Sequence, residues 1–537
     1  SLRSDSHTVI DERTWNNAST FWYDGSDDTH IRESEKLAQS QLDDEGNSLG
    51  FPAGATVDND VKYTPAVNRF DESSDYMNRD TRLLSRTDWK GTFPSAESRS
   101  VAASDAIADD LNAMFSFDPE TDPELGNVST SRIYASEQPE SGKDNGLSFV
   151  DMRGLDYHDD AWNDLLDQID YAADQAQIES LLYNTNYATT ALDSLGMPAT
   201  VAFDGPNGFR PKSTGGYAAV YPCAPIVAST WNVALVRELG EAYGQEALTI
   251  GADVLYGIGI NLHRSPFGGR NGEYYSEDPL LSGKVAAAFV SGAGDQGLIC
   301  HIKHFALNDE ETNRQFYLHT WADEQTMREI YFRPFEICVK DAMMTIRYIS
   351  DENGTVSTKT MRAATAVMVS QNCIGSVINF ANYALNTELL RGEWGFRGTV
   401  ITDMYTFMFE TEQSNKTWLK DYAVRAGSDL YLTMAMDMLG TNYGAEDYDS
   451  ATARTAIRTA LHNWAYTMAN SAVTNGAAPG ATFYYDMSPW AVILLVANIV
   501  IYAFVLVMAV LIVLRGMDSK KHPDKYKPGK KRKGESA

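Results

Sequence analysis

The feature that most constrains the fold is a repeated alternation of short apolar runs with amphipathic helical stretches over residues 151–475. Such alternation is typical of βα units, which build a parallel sheet covered by helices. Candidate strands lie in PATVAFD (198–204), DVLYGIGIN (253–261), GLICHIKHF (297–305), AVMVSQN (366–372), GTVITDM (398–404) and DLYLTMAM (429–436). A region of about 320 residues is the size of a (β/α)8 barrel. The predicted fold class is therefore α/β, a TIM-like barrel.

Helical periodicity supports this prediction. The stretch 323–342 places its apolar residues mainly on one face of a predicted helix. A second helix is predicted over 455–472, after the last candidate strand. A doubly wound open sheet is the alternative fold. It is not supported by a dinucleotide-binding loop, because no G-x-G-x-x-G motif directly follows a candidate strand.

A second strong signal is the uncharged apolar run WAVILLVANIVIYAFVLVMAVLIVL, residues 490–514. As a helix it measures about 37 Å, enough to cross about 30 Å of hydrocarbon. The following tail, 515–537, holds nine basic and three acidic residues. Positive charge stays on the cytoplasmic side, so we expect a single-pass protein of the cell membrane with an extracellular body, a cytoplasmic tail and lipid contacts through 490–514. Four N-x-S/T sequons, at Asn17, Asn127, Asn353 and Asn415, are compatible with that side.

The charge of the body excludes one class of partner. The whole chain carries a net charge of −29, and without its basic tail the net charge is −35. Such a surface repels phosphate backbones, so we expect no nucleic-acid partner. The four cysteines fit neither a disulfide framework nor a zinc motif.

Composition divides the rest of the chain. Residues 1–150 are rich in Asp, Ser, Asn and Glu with scattered aromatic anchors, which predicts an irregular acidic arm packed on another part of the molecule. Residues 476–489 are a linker rich in Gly, Pro and Ala between the barrel domain, 151–475, and the transmembrane helix, 490–514.

Polar residues at the carboxyl ends of barrel strands point into the active site. In this sequence they are Asp204, His263, Arg264, Lys303, His304, Gln371, Asn372 and Asp403. Carboxylates, cations and amides together are typical of a carbohydrate pocket, where they bind vicinal hydroxyls. There is no Cys/His cluster with metal spacing, no Gly-rich phosphate loop and no G-x-S-x-G motif.

Local sequences around these residues resemble the barrel domain of the family-three glycoside hydrolases, the β-glucosidase type. The similar blocks, in the family's order, are MPATVAFDGPNGFR (197–210), STWNVALVRELGEAYGQEAL (229–248), ADVLYGIGINLHRSPFGGRNGEYYSEDPLLSGKVAAAFVSG (252–292), HIKHFALNDEETNR (301–314), EQTMREIYFRPFE (324–336) and LLRGEWGFRGTVITDMY (389–405).

The resemblance implies a role for each motif residue. Asp403 matches the nucleophile, whereas Asp204, Arg270, Lys303 and His304 match residues that bind the terminal sugar. Attack by a carboxylate forms a glycosyl ester that water cleaves with retention, so no cofactor or metal is implied. Gln371 and Met404 depart from the Tyr and Trp that the family often has at these places, which leaves the sugar open.

The resemblance also implies where the general acid/base residue lies. In the β-glucosidase branch it is a Glu on a separate sandwich domain, which in permuted members precedes the barrel. Residues 68–94 resemble the stretch that joins the two halves in those members. We therefore expect the chain to be the carboxyl-terminal part of a longer membrane-anchored enzyme, with its acid/base Glu before residue 1. The N-acetylglucosaminidase branch of the family has the pattern KHFPGHG. This sequence has KHFALND instead, so it does not support that branch.

These observations predict a retaining β-glycosidase, an O-glycosyl hydrolase that releases terminal β-linked sugars from glucosides or oligosaccharides through a covalent glycosyl-Asp intermediate. The alternative is a membrane-anchored carbohydrate-binding protein with little or no catalysis. A surface adhesin using the acidic arm is a third possibility without a feature of its own.

Overall fold

The computed structural model describes residues 2–3, 9–11, 70, 135–183, 185–210, 218–312, 314, 318–320, 322, 324–375, 377–404, 423–433, 448–483 and 489–527. These residues fall into two units, Ser1–Ala481 and Thr482–Ala537. Most of the predicted acidic arm, 1–150, lies outside the described residues, as do 434–436 of the last candidate strand and 484–488 of the predicted linker.

The first unit is organised around a six-stranded sheet. In the order in which they pair, its strands are β13 (Thr399–Thr402), β10 (Ala366–Val369), β6 (Ile299–Phe305), β5 (Val254–Tyr256), β4 (Thr200–Asp204) and β3 (Ala188–Thr189). Every pair from β4 to β13 is parallel. Only the pair of β3 with β4 is antiparallel, so the described sheet departs from the all-parallel arrangement that we predicted.

The parallel strands are buried along their length. All seven residues of β6 and all four residues of both β10 and β13 are buried. Strands that are buried on both faces need apolar residues at nearly every position. The continuous apolar runs in the sequence have this cause.

Hydrogen bonds extend the sheet beyond β13. The segment 430–433 pairs with β13 through the Leu430 N–H and the Val400 carbonyl, 3.0 Å apart. On its other side, the Thr185 N–H donates to the Tyr431 carbonyl at 3.1 Å. Tyr187 then accepts from the Ala202 N–H of β4 at 2.8 Å. A chain of backbone bonds therefore leads from β13 through 430–433 to β4.

Helices follow the strands as predicted. Their bounds are α1 (Ala161–Leu166), α2 (Gln175–Tyr183), α3 (Ala224–Ala228), α4 (Val233–Ile250), α5 (Pro279–Asp295), α6 (Glu324–Thr326), α7 (Arg333–Asp341), α8 (Ala451–Ala469) and α9 (Pro489–Lys521). Met327–Tyr331 and Ala384–Glu393 are π-helical. Single 3₁₀ turns cover Phe149–Met152, Asp193–Leu195, Asn271–Glu273, Asn379–Ala381, Ala472–Thr474 and Pro523–Tyr526.

Helices α4 and α5 pack closely because each has a glycine at the crossing. A Cβ on Gly240 would lie 2.1 Å from the Phe289 carbonyl oxygen, and one on Gly292 would lie 2.0 Å from the Arg237 carbonyl oxygen. Any larger residue would push the two helices apart. The Asn232 side chain caps the start of α4, accepting from the N–H groups of its first turn.

The sequence prediction did not include the antiparallel hairpin of β8 (Met343–Ile349) and β9 (Val356–Arg362). Buried and exposed residues alternate along β8, as expected for a strand with one solvated face. In the turn, the Asp351 carboxylate accepts from the N–H groups of Asn353 and Thr355, and Gly354 has a φ of +82°. The remaining strands are short: β1 (Leu2–Arg3) pairs with β2 (Val9–Asp11), and β7 (His319–Thr320), β11 (Cys373–Ile374) and β12 (Val377–Ile378) form a three-stranded sheet.

The second unit contains α9. This helix is long and apolar enough to cross a membrane, and it contains the whole predicted span 490–514. It continues to Lys521, so the first part of the predicted tail is helical. Its apolar side chains are exposed, as they would be against lipid.

Candidate active site

The sheet gathers polar residues at the carboxyl ends of its strands. Asp204 is the last residue of β4, Lys303 and His304 lie near the end of β6, and Asp403 directly follows β13. Parallel neighbouring strands end at the same edge, so these side chains meet there. Together with Arg270, which caps the 3₁₀ turn Asn271–Glu273, they form a connected cluster.

Asp403 occupies the centre of this cluster. Its side chain is 8% exposed, and Arg314 Nη1 lies 2.7 Å from its Oδ2. Its other oxygen, Oδ1, accepts the Met404 N–H at 2.7 Å. Each carboxylate oxygen therefore has one fixed donor and keeps further lone-pair capacity for a substrate.

Surrounding cations keep Asp403 ionised. Burial by itself would raise the pKa of this carboxyl, because a charge is costly in a dry environment. Arg314, Arg270 and Lys303, together with the Met404 N–H, outweigh that cost and hold the pKa below its usual value. The carboxylate is consequently charged at neutral pH, as a nucleophile must be.

His304 is neutral and oriented by its neighbours. Burial first, and then the charges of Arg270, Lys303 and Arg314, bring its pKa well below the usual value. Arg270 Nη1 lies 3.0 Å from His304 Nε2, and because a guanidinium only donates, this nitrogen is the acceptor. The 3.6 Å separation of His304 Nε2 from Asp403 Oδ2 is therefore a contact of a neutral ring with a carboxylate.

Lys303 and Asp204 form the other side of the cluster. Lys303 Nζ lies 3.8 Å from Asp204 Oδ1, and the Tyr187 hydroxyl donates to Asp204 Oδ2 at 2.7 Å. Burial lowers the pKa of Lys303, an effect that the charge of Glu273 opposes. A third of the Asp204 side chain remains exposed, so this carboxylate is accessible to a ligand.

Two acidic residues neutralise the arginines. Arg270 Nε lies 2.5 Å from Glu273 Oε1, and its Nη1 lies 3.5 Å from Glu311 Oε1. Arg314 Nε lies 2.7 Å from Glu311 Oε2. The cations of the cluster are thus each compensated by a carboxylate.

Sequence reasoning missed several of these residues. Arg314 lies within the block HIKHFALNDEETNR but is not among the predicted site residues, although its Nη1 lies 2.7 Å from Asp403 Oδ2. A signal was present, since acidic residues and an arginine crowd the loop immediately after β6. Tyr187 was also missed, because it lies in an irregular segment before the first predicted strand.

Other strand-end residues serve the framework. His263 Nε2 lies 2.8 Å from the Tyr274 carbonyl, and the Arg264 guanidinium lies 5.5 Å from the centre of the Tyr331 ring. Asn372 donates to the carbonyls of Ala306 and Leu307. Gln371 borders the site, where its amide donates to the Met404 carbonyl at 2.8 Å. Among the described residues, no group of three or more His, Cys, Asp or Glu side chains is arranged to hold a metal ion.

Comparison with known proteins connects this geometry to a family. The model of the "Glycosyl hydrolase family 3 N terminal domain" matches residues 169–445, more than half of the chain. The chain belongs to glycosyl hydrolase family 3. The predicted resemblance is thereby confirmed, and so is a TIM-barrel-like α/β fold for the matched domain.

Proteins with similar sequences include several β-glucosidases. A β-glucosidase of Rhizobium radiobacter is 37% identical over 244 residues, and β-glucosidase B of Emericella nidulans is 36% identical over 227 residues. These matches cover 44% and 42% of this chain but 27% and 24% of the relatives. The solved structure of a β-glucosidase from Paenibacillus barengoltzii matches with a TM-score of 0.50 at 25% identity, covering 66% of this chain and 37% of that one. This family 3 chain therefore spans about a quarter of the length of these curated relatives.

Proposed function

We propose that the chain provides the nucleophile and sugar-binding residues of a retaining β-glycosidase. The observation that carries this proposal is the buried, ionised Asp403, held by Arg314 in a cluster that also contains the partly exposed carboxylate of Asp204. The β-glucosidase relatives support β-glucosides as substrates.

The proposed reaction has two steps. An oxygen of Asp403 attacks the anomeric carbon, forming a C–O ester bond while the bond to the aglycone oxygen breaks and that oxygen takes up a proton. Water then attacks the same carbon, loses a proton and releases Asp403 as a carboxylate. Two inversions give net retention of configuration.

Charge balance favours a neutral sugar. The cations Arg270, Arg314 and Lys303 face the carboxylates Asp204, Asp403, Glu273 and Glu311. An anionic sugar would gain little here, whereas hydroxyl groups find both donors and acceptors. We propose that Asp204, Arg270, Lys303 and His304 bind the hydroxyls of the terminal sugar.

The proton donor for the first step is proposed to lie outside this cluster. Glu273 and Glu311 are both bound to arginines. For Glu273, burial would raise the pKa, but Lys303 and Arg270 outweigh it and the pKa is lowered. A carboxyl that stays ionised is a poor general acid. The chain should therefore act best on glycosides with good leaving groups.

A stereochemical experiment tests the proposal. We expect the full chain to cleave 2,4-dinitrophenyl β-glucoside and proton NMR to show β-glucose as the first product. An α product would overturn the retaining mechanism. Glucose binding without cleavage would favour the alternative, a carbohydrate-binding protein, which the pairing of the described carboxylates Glu273 and Glu311 with arginines supports.

We further propose that α9 anchors the protein in the cell membrane by a single pass, with the barrel outside and the basic tail in the cytoplasm. The long apolar helix and its basic end support this arrangement. Proteolysis of right-side-out vesicles should remove the body and leave the tail intact. Loss of the tail instead would reverse the proposed orientation.

We also propose that the sheet closes into a complete (β/α)8 barrel, which the bonds through 430–433 support.

A further inference from the structure

Tyr187 has an unusual backbone conformation. Its φ is +55°, in the left-handed region that bulky residues rarely adopt. Hydrogen bonds hold the chain on both sides of it, from Thr185 to the 430–433 segment and from the Tyr187 carbonyl to Ala202. Such a conformation persists where the surroundings impose it, and it often has a functional reason.

This conformation directs the Tyr187 ring towards Asp204. The hydroxyl donates to Asp204 Oδ2 at 2.7 Å, while Lys303 Nζ approaches the other oxygen, Oδ1, at 3.8 Å. The ring also packs beside Tyr256, with centroids 5.7 Å apart. Asp204 is therefore held at both oxygens by groups from different parts of the chain.

We propose that Tyr187 is a positioning residue of the candidate site, whose hydroxyl fixes the carboxylate of Asp204 in the orientation that receives sugar hydroxyls. This inference rests on the proposed function. Burial, the bond to Asp204 and the charges of Asp204 and Asp403 all raise the pKa of Tyr187, so the phenol remains a donor. Each oxygen of Asp204 can still accept from a ligand.

A glucose titration is the first test. Calorimetry on the full chain in detergent should show roughly tenfold weaker glucose binding by Tyr187→Phe than by the wild type, since a hydrogen bond to a charged group is lost. Tyr348→Phe, on the hairpin, is the matched control and should bind glucose like the wild type. Unchanged binding by Tyr187→Phe would overturn the proposal.

A double-mutant cycle separates positioning from packing. The readout is the second-order rate constant of covalent labelling by 2-deoxy-2-fluoro-β-glucosyl fluoride, which remains measurable when binding is weak. Tyr187→Phe should slow labelling roughly tenfold in the wild type but less than twofold in Asp204→Asn. Equal losses in both backgrounds would show that the hydroxyl does not act through Asp204. If the wild type binds glucose without being labelled, the proposed hydrolysis fails, while the glucose titration still decides the role of Tyr187.

Discussion

Two buried aspartates lie near opposite ends of β13, and each forms an ion pair with an arginine. The two pairs serve different purposes. Asp403 follows the carboxyl end of the strand and lies 2.7 Å from Arg314. Asp429 lies near the amino end, accepts the Val400 N–H and lies 2.7 Å from Arg391. Both carboxylates are almost completely buried.

Their surroundings differ in charge. Around Asp403, several cations outweigh burial and lower the pKa. At Asp429 burial dominates and raises the pKa to about 6, although Arg391, Asn463 and Val400 all bind the carboxylate. One salt bridge is thus not enough to offset the effect of burial on the pKa of a carboxyl, whereas several cations are. In barrels of this kind, chemistry belongs to the carboxyl ends of strands and stability to the amino ends.

The largest expected effect is loss of turnover in Asp403→Asn. Removing the nucleophile should slow cleavage of 2,4-dinitrophenyl β-glucoside by roughly 10³-fold or more. Steady-state kinetics measure this loss, and Asp449→Asn, at an exposed residue, is the control. Substantial residual turnover would assign the nucleophile to another residue.

Asp429→Ala should instead affect stability. It leaves Arg391 without its buried carboxylate, so the free energy of unfolding should fall by about 3–5 kcal/mol. Denaturant titration measures this change. Asp449→Ala removes an exposed ion pair with Arg454 and should change stability by less than about 1 kcal/mol. Similar losses of unfolding free energy in Asp429→Ala and Asp449→Ala would contradict a stabilising role for the buried pair of Asp429 and Arg391.

The pH dependence of stability should also reveal Asp429. Its pKa is about 6 in the folded protein against 3.8 for an ordinary Asp, so the folded state binds the proton more tightly. The stabilisation that protonated Asp429 adds to the free energy of unfolding is complete below about pH 4. It is lost as the pH rises through 6, a difference of about 3 kcal/mol. Asp429→Asn should remove this slope from unfolding measurements between pH 4 and 7. An unchanged slope would place its origin elsewhere.

Arg314→Gln tests the electrostatics of the other aspartate. Without this cation the pKa of Asp403 should rise, so the acid limb of the fluorosugar labelling rate should move to higher pH. At neutral pH we expect labelling to slow by roughly 10- to 100-fold. Arg347→Gln, on the exposed face of the hairpin, is the control. A slower rate with an unshifted acid limb would mean that Arg314 acts on the substrate rather than on Asp403.

The smallest effect is expected in the hairpin, far in sequence from both aspartates. Gly354→Ala puts a side chain on a residue with φ of +82° and should cost about 1 kcal/mol of unfolding free energy without changing turnover. Gly392→Ala is the matched control, because its Cβ would meet only Thr387 at 3.4 Å. A stable Gly354→Ala protein would show that the turn tolerates another backbone conformation.

The parallel core of the fold was predictable from the sequence. Continuous apolar runs predicted β4, β6, β10 and β13, because strands buried on both faces need them. The antiparallel β3 was missed, since two residues in an irregular stretch carry no periodic signal. The hairpin was missed although its two arms flank an Asn-Gly pair, a recognised turn signal.

Part of the candidate site was also predictable, because it depends on the predicted strands. Asp204, Lys303, His304 and Asp403 stand at strand ends, where topology alone brings side chains together. Arg314 and Tyr187 reach the same cluster from irregular segments. Their positions depend on tertiary packing, which strand periodicity does not encode.

The most direct test of the central claim is peptide mass spectrometry after incubation with 2-deoxy-2-fluoro-β-glucosyl fluoride. Its fluoride leaves readily, so the proton donor matters little, and the 2-fluoro group slows hydrolysis of the ester. We predict a covalent sugar on the peptide containing Asp403 in the wild type and none in Asp403→Asn. A sugar on another residue, or no adduct under conditions where glucose binds, would contradict the assignment of Asp403 as the nucleophile.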